Sequence, residues 1–118
     1  METLKQARTA DPITAAALQA FVQKVSVRSD FARAILFGSR ARRSHQPDSD
    51  ADVAVLLSGT PGNFVSTKLA MDDIAYMVLL ETGVRIQPLP VWQSEWAHPE
   101  SYSNPHLLKN IAREGINL

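Results

Sequence analysis

The chain has no cysteine, which excludes a disulfide framework and any zinc site built on thiolates. It has no surplus of charge either. Twelve Lys and Arg balance twelve Asp and Glu, so no global basic field points to nucleic acid, and direct nucleic-acid binding is not expected. No stretch approaches the roughly 18 consecutive apolar residues of a membrane span. Met1 to Ala10 lacks the apolar centre of a secretory leader. A cytoplasmic location without membrane contact is the expectation. Internal repeats and low-complexity tracts are absent. At 118 residues the chain, 1–118, reads as one domain with room for a single core and none for a second, substrate-holding domain.

What is present alternates between helix and strand patterns. Residues 1–10 carry little apolar character beyond Leu4 and are expected to fray. Asp11-Pro12 is an N-cap followed by Pro at the first helical position. Ile13, Ala17, Ala20, Phe21 and Val25 then recur at helical spacing. Ala34 to Phe37 reads as a buried strand ended by Gly38, and Ser39 to Ser44 as one or two helical turns. Asp50 to Leu57 is a second strand. Asn63 caps a long helix to Thr82 whose apolar residues, among them Val65, Leu69, Met71, Ile74, Val78 and Leu79, cover a broad face. Val84 to Val91 is a third strand, held to an edge by Pro88 and Pro90. Trp92 to Trp96 suggests a helical turn with both indoles on one face. Asn104-Pro105 starts a last helix that Gly115 ends. The fold class is α/β, with a small mixed sheet of three strands or slightly more flanked by helices.

The chemistry is concentrated in residues 35–57. Gly38-Ser39 closes one apolar run, and Asp50-x-Asp52 opens the next. A Gly-Ser turn at a strand end presents backbone N–H groups to phosphate oxygens. Aspartates at i and i+2 of a strand project from one face. Two such carboxylates repel unless a cation lies between them, and Mg²⁺ is suited because it shares its oxygen shell with substrate phosphates. Arg40 and Arg42 lie just beyond the turn, within reach of phosphate oxygens. Asp48 fits an ordinary solvent-facing turn.

This pattern, Gly-Ser, ten residues, then Asp-x-Asp, resembles the signature of the DNA polymerase β-like nucleotidyltransferases. In so short a chain it is most similar to the minimal nucleotidyltransferases (MNT), antitoxin partners of HEPN toxins. Four fixed positions match by chance in about one such chain in a thousand. The resemblance implies the nucleotidyltransferase fold, with ATP as substrate and two Mg²⁺ ions on Asp50 and Asp52, the catalytic pair. It implies that Gly38 and Ser39 cradle the β- and γ-phosphates. It also implies AMP transfer to a tyrosine hydroxyl of a cognate HEPN toxin, which silences that toxin.

One departure qualifies the activity. Active relatives carry a third carboxylate on the neighbouring strand, where this chain reads Val84-Arg85-Ile86-Gln87-Pro88-Leu89. The matching position holds Arg85 or Gln87. Losing one general base removes about 10²–10⁴ in rate, so the alternative is an inactive antitoxin that neutralises its partner by binding alone. A small-molecule nucleotidyltransferase of the aminoglycoside-modifying type is a weaker option, because those carry a further domain for the acceptor. Arg40-x4-His45 copies the ribonuclease motif of the HEPN toxins. That motif needs a long helix in an all-helical protein, and here it falls in a turn and loop.

Overall fold

The computed structural model describes residues 5–6 and 11–118. Within the N-terminal ten that were expected to fray, Lys5–Gln6 form a two-residue strand, β1. The other eight lie outside the described residues. The elements that follow are α1 (Pro12–Val25), β2 (Phe31–Phe37), α2 (Ser39–Arg42), β3 (Ala51–Leu57), α3 (Phe64–Thr82) and β4 (Ile86–Trp92). After them come α4 (Gln93–Ala97), a 3-10 turn (Pro99–Ser101), α5 (Pro105–Glu114) and β5 (Ile116–Asn117).

Strand order in the five-stranded sheet is β1-β5-β2-β3-β4. β2 runs antiparallel to both β3 and β5, while β3 and β4 are parallel, the parallel pair being joined by the crossover helix α3. The sheet is larger than three strands because β1 and β5 add an edge. β5 has only two residues, too few for any alternation to show in a sequence.

Strand alternation divides the core into two layers. Ala34, Leu36, Val53, Val55 and Leu57 pack with Ala17, Leu18, Phe21 and Val25 of α1 and with Met71, Ala75 and Val78 of α3. On the other face Ile35, Ala54, Leu56 and Val91 pack with Leu108 and Ile111 of α5 and with Tyr102. Full burial of side chains such as Phe21 or Leu36 stabilises by about 1.5–3 kcal/mol each. The two tryptophans divide between these layers, Trp92 with α1 and α3, Trp96 with α5. They do not share a face, because Trp92 still belongs to β4 and only Trp96 is helical.

α1 begins as predicted: the Asp11 carboxylate accepts from the Thr14 N–H at 2.9 Å and from its hydroxyl at 2.7 Å. Its buried stripe is Thr14, Ala17, Leu18, Phe21 and Val25, centred one residue later than expected, so Ile13 is 66% exposed. Gly115 does end α5, in extended rather than left-handed backbone. Packing requires it, since a Cβ there would lie 2.5 Å from Ile35 Cγ2 and 2.6 Å from the Ile111 carbonyl oxygen.

β4 is the sheet edge that Pro88 and Pro90 predict. The Ala51 N–H donates to the Arg85 carbonyl at 2.8 Å, so odd-numbered residues of β4 turn their backbone groups towards β3. The backbone groups of Ile86, Pro88, Pro90 and Trp92 therefore point to the free edge, and the Trp92 N–H is taken by Glu95 Oε1 at 3.0 Å. No described helix is long and apolar enough to cross a membrane.

Candidate active site

β2 and β3 pair with Phe37 opposite Asp52, which brings the end of one strand onto the start of the next. Gly38 turns the chain with φ 77°, a conformation that costs residues with a Cβ. Space demands glycine as well: a Cβ would meet Asp52 Oδ2 at 2.5 Å. The Gly38-Ser39 turn and Asp52 are thus in direct contact. Ser39 opens α2, a single turn closed by Arg43 in left-handed backbone.

Asp50 and Asp52 share the sheet face of Ala54 and Leu56, by strand alternation. Burial pushes the Asp52 carboxyl above its ordinary range, and repulsion from Asp50 adds to this, while Arg42 opposes it. In the β3–β4 register Gln87 lies beside Asp52, so Gln87 rather than Arg85 occupies the place of the absent third acid. Gln87 Nε2 donates to Asp50 Oδ2 at 3.3 Å. Arg85 Nε stands 3.8 Å from Asp50 Oδ1, with both side chains largely open to solvent.

The two arginines expected at phosphate separate. Arg42 is on the surface, where its Nη1 donates to Glu114 Oε1 at 3.5 Å, and its charge acts on Asp52. Arg40 is 3% exposed and points inward. Its guanidinium donates to the Ser49 carbonyl at 3.0 and 2.8 Å, to the Pro47 carbonyl at 3.2 Å and to Thr14 Oγ1 at 2.9 Å. These bonds commit its guanidinium to Thr14 and to the loop before Asp50, so Arg40 acts as a positioning residue. His45 Nε2 lies 3.3 Å from Asp11 Oδ2, a second tie from that loop to the cap of α1. Burial acts to raise the Asp11 carboxyl, but the bonds from Thr14 and the charges of His45 and Arg40 hold it below its usual range. Sequence reasoning missed Thr14 and Asp11 as supports of the site. Nothing local marks them, because their role depends on a partner 26 residues away.

A cleft of about 270 Å³ opens between α3 and β4, with Asp72, Tyr76 and Leu79 on one wall and Arg85 and Gln87 on the other. Among the described residues no cluster of three or more acidic or histidine groups could hold a metal ion. Two carboxylates against a Gly-Ser turn nonetheless fit Mg²⁺, which commonly takes one or two protein carboxylates and completes its shell with water and phosphate.

A mixed sheet carrying two neighbouring carboxylates on one strand, against a Gly-Ser turn on the next, defines a protein of the nucleotidyltransferase class. Residues 19–89, a span that includes the turn and both aspartates, match the family described as Polymerase beta, Nucleotidyltransferase. The chain belongs to that family. Its structure is also similar to that of a Sulfolobus solfataricus protein assigned as a nucleotidyltransferase, with a TM-score of 0.51 and 16% identity over 91% of this chain and 86% of that one. At that identity the likeness is one of fold. No curated protein sequence matches the chain significantly.

Proposed function

We propose that the protein transfers a nucleoside monophosphate, AMP from ATP, to a hydroxyl of a protein partner. The partner is a HEPN-family toxin, the acceptor a tyrosine, and the setting a cytoplasmic toxin–antitoxin pair. The observation that carries the transferase reading is the contact between Gly38 and Asp52, with Asp50 on the same face. Asp50 and Asp52 are the residues to hold Mg²⁺. When bound, Mg²⁺ neutralises phosphate charge and polarises the reacting oxygens.

The Gly38-Ser39 turn binds the end of the triphosphate that leaves. In-line displacement sets the attacking hydroxyl opposite the leaving pyrophosphate. With the pyrophosphate at the end of β2, the acceptor enters from the β4 side. The hydroxyl oxygen bonds to the α-phosphorus, the bond to the bridging oxygen of pyrophosphate breaks, and the proton passes to water. Arg85 and Gln87 offer no base, so transfer is slow, by the factor of about 10²–10⁴ that a missing base implies.

That same feature supports the second reading, an antitoxin that acts by binding alone. The two separate in one assay with purified protein, the helical partner, Mg²⁺ and labelled ATP. Label on the partner that falls at least about 100-fold in Asp50→Asn and Asp52→Asn supports transfer. Neutralisation of the partner that survives both substitutions, with no label incorporated, overturns it in favour of binding alone.

A further inference from the structure

Helix α3 buries one side against the sheet through Met71, Ala75 and Val78, yet its opposite side is also apolar. Val65 is 64% exposed, Leu69 59%, Tyr76 59% and Leu80 68%. At 3.6 residues per turn these four fall within a strip about 60° wide that runs nearly the whole helix. Met77, 53% exposed, borders it. Together they form one continuous exposed apolar strip, the kind of surface that is often an interaction site. A helix is the natural cover for a straight strip of this width.

A second copy of this chain fits badly. Two α3 helices crossing antiparallel about a two-fold axis match their apolar residues only when Val65 meets Leu80 and Leu69 meets Tyr76 of the other copy. That register puts the axis between residues 72 and 73, so Asp72 of each copy meets Asp73 of the other there. Asp72 is already paired with Lys68 at 3.0 Å, but Asp73 is a second carboxylate bordering the strip, exposed beside its centre. A partner with a cation at that point gains where a second copy loses.

We propose that the outer face of α3 docks an amphipathic helix of another protein, apolar at both ends and carrying Lys or Arg at its middle, opposite Asp73. Asp72 and Tyr76 also wall the cleft whose other side is Arg85 and Gln87. A helix seated on α3 therefore borders that cleft. This surface is independent of whether transfer occurs, because docking needs neither ATP nor Mg²⁺.

The test is selection of a displayed library of helical peptides on the full chain, followed by fluorescence anisotropy of the enriched peptides without nucleotide. Enriched peptides are expected to carry apolar residues spaced four, seven and four apart with a basic residue between. Leu69→Glu and Leu80→Glu should each weaken binding at least tenfold while leaving the thermal transition in place. Val27→Glu, at a site 82% exposed elsewhere, should change nothing. Asp73→Lys should reverse the preference to peptides acidic at the middle. The proposal is overturned if nothing is enriched over the Leu69→Glu, Leu80→Glu double variant, or if Asp73→Lys leaves the preference unchanged. It is also overturned if sedimentation finds a dimer of this chain that Leu80→Glu dissociates.

Discussion

The two flanks of the carboxylate pair are built differently. On the β2 side the chain is locked: Gly38 touches Asp52, and Arg40 beneath it holds Ser49, Pro47 and Thr14 at 2.8–3.2 Å in a buried setting. On the β4 side Gln87 and Arg85 approach Asp50 at 3.3 and 3.8 Å, exposed to water. Short buried bonds from a fixed cation fix geometry, while long exposed ones exchange readily with water and ligands. The locked flank suits the constant part of a substrate, a polyphosphate. The open flank suits whatever differs between acceptors.

Substitutions on the two flanks should therefore differ in kind. Arg40→Met has the largest expected effect, a loss of about 3 kcal/mol in urea unfolding, because buried Thr14 Oγ1 and the partly buried Ser49 and Pro47 carbonyls lose their donor. Gly38→Ala comes next, at about 2 kcal/mol, from the positive φ together with the clash with Asp52; it should also abolish ATP binding in calorimetry. On the open flank Gln87→Glu should leave the thermal transition nearly unmoved and strengthen Mg²⁺-dependent ATP binding or transfer by about tenfold, as a third acid returns. An equal loss of stability at Gln87 and Arg40 would dissolve the contrast.

The smallest effect is in pH dependence. Asp52 is raised, so between the usual carboxylate pKa and its folded value the native chain keeps a proton that the unfolded chain releases. Its contribution falls as pH rises through that window, and Asp52→Asn should remove that slope from unfolding curves measured across the acid range. Asp11 is lowered and acts in the opposite sense. Its stabilisation is present above the unfolded value and disappears as pH falls through the folded one, so Asp11→Asn should flatten the acid limb.

The turn and its two aspartates were legible because strand ends, glycine and alternation are local signals. Gln87 was one of two candidates until strand register, a long-range property, placed it beside Asp52. The surroundings of Arg40 were hidden for a similar reason. Sequence shows an arginine after a phosphate-type turn, but only the fold shows that residues 47–49 and Thr14 surround it. The helix cap at Asp11 was visible from the sequence, whereas its second duty, as anchor for His45, was not. In α3 the apolar residues were read as one broad face. The helix has two, and composition cannot divide them because both are apolar.

The outward edge of β4 offers carbonyl oxygens at Ile86, Pro88 and Pro90, but between Ile86 and the capped Trp92 it has no N–H to give. Cross-β stacking needs donors in register on every second residue, so this border cannot template the pairing of one chain onto the next. Crowded copies are thereby kept from zipping into fibrils, and a change as mild as Pro88→Val with Pro90→Val would remove that safeguard while leaving both carboxylates where they are.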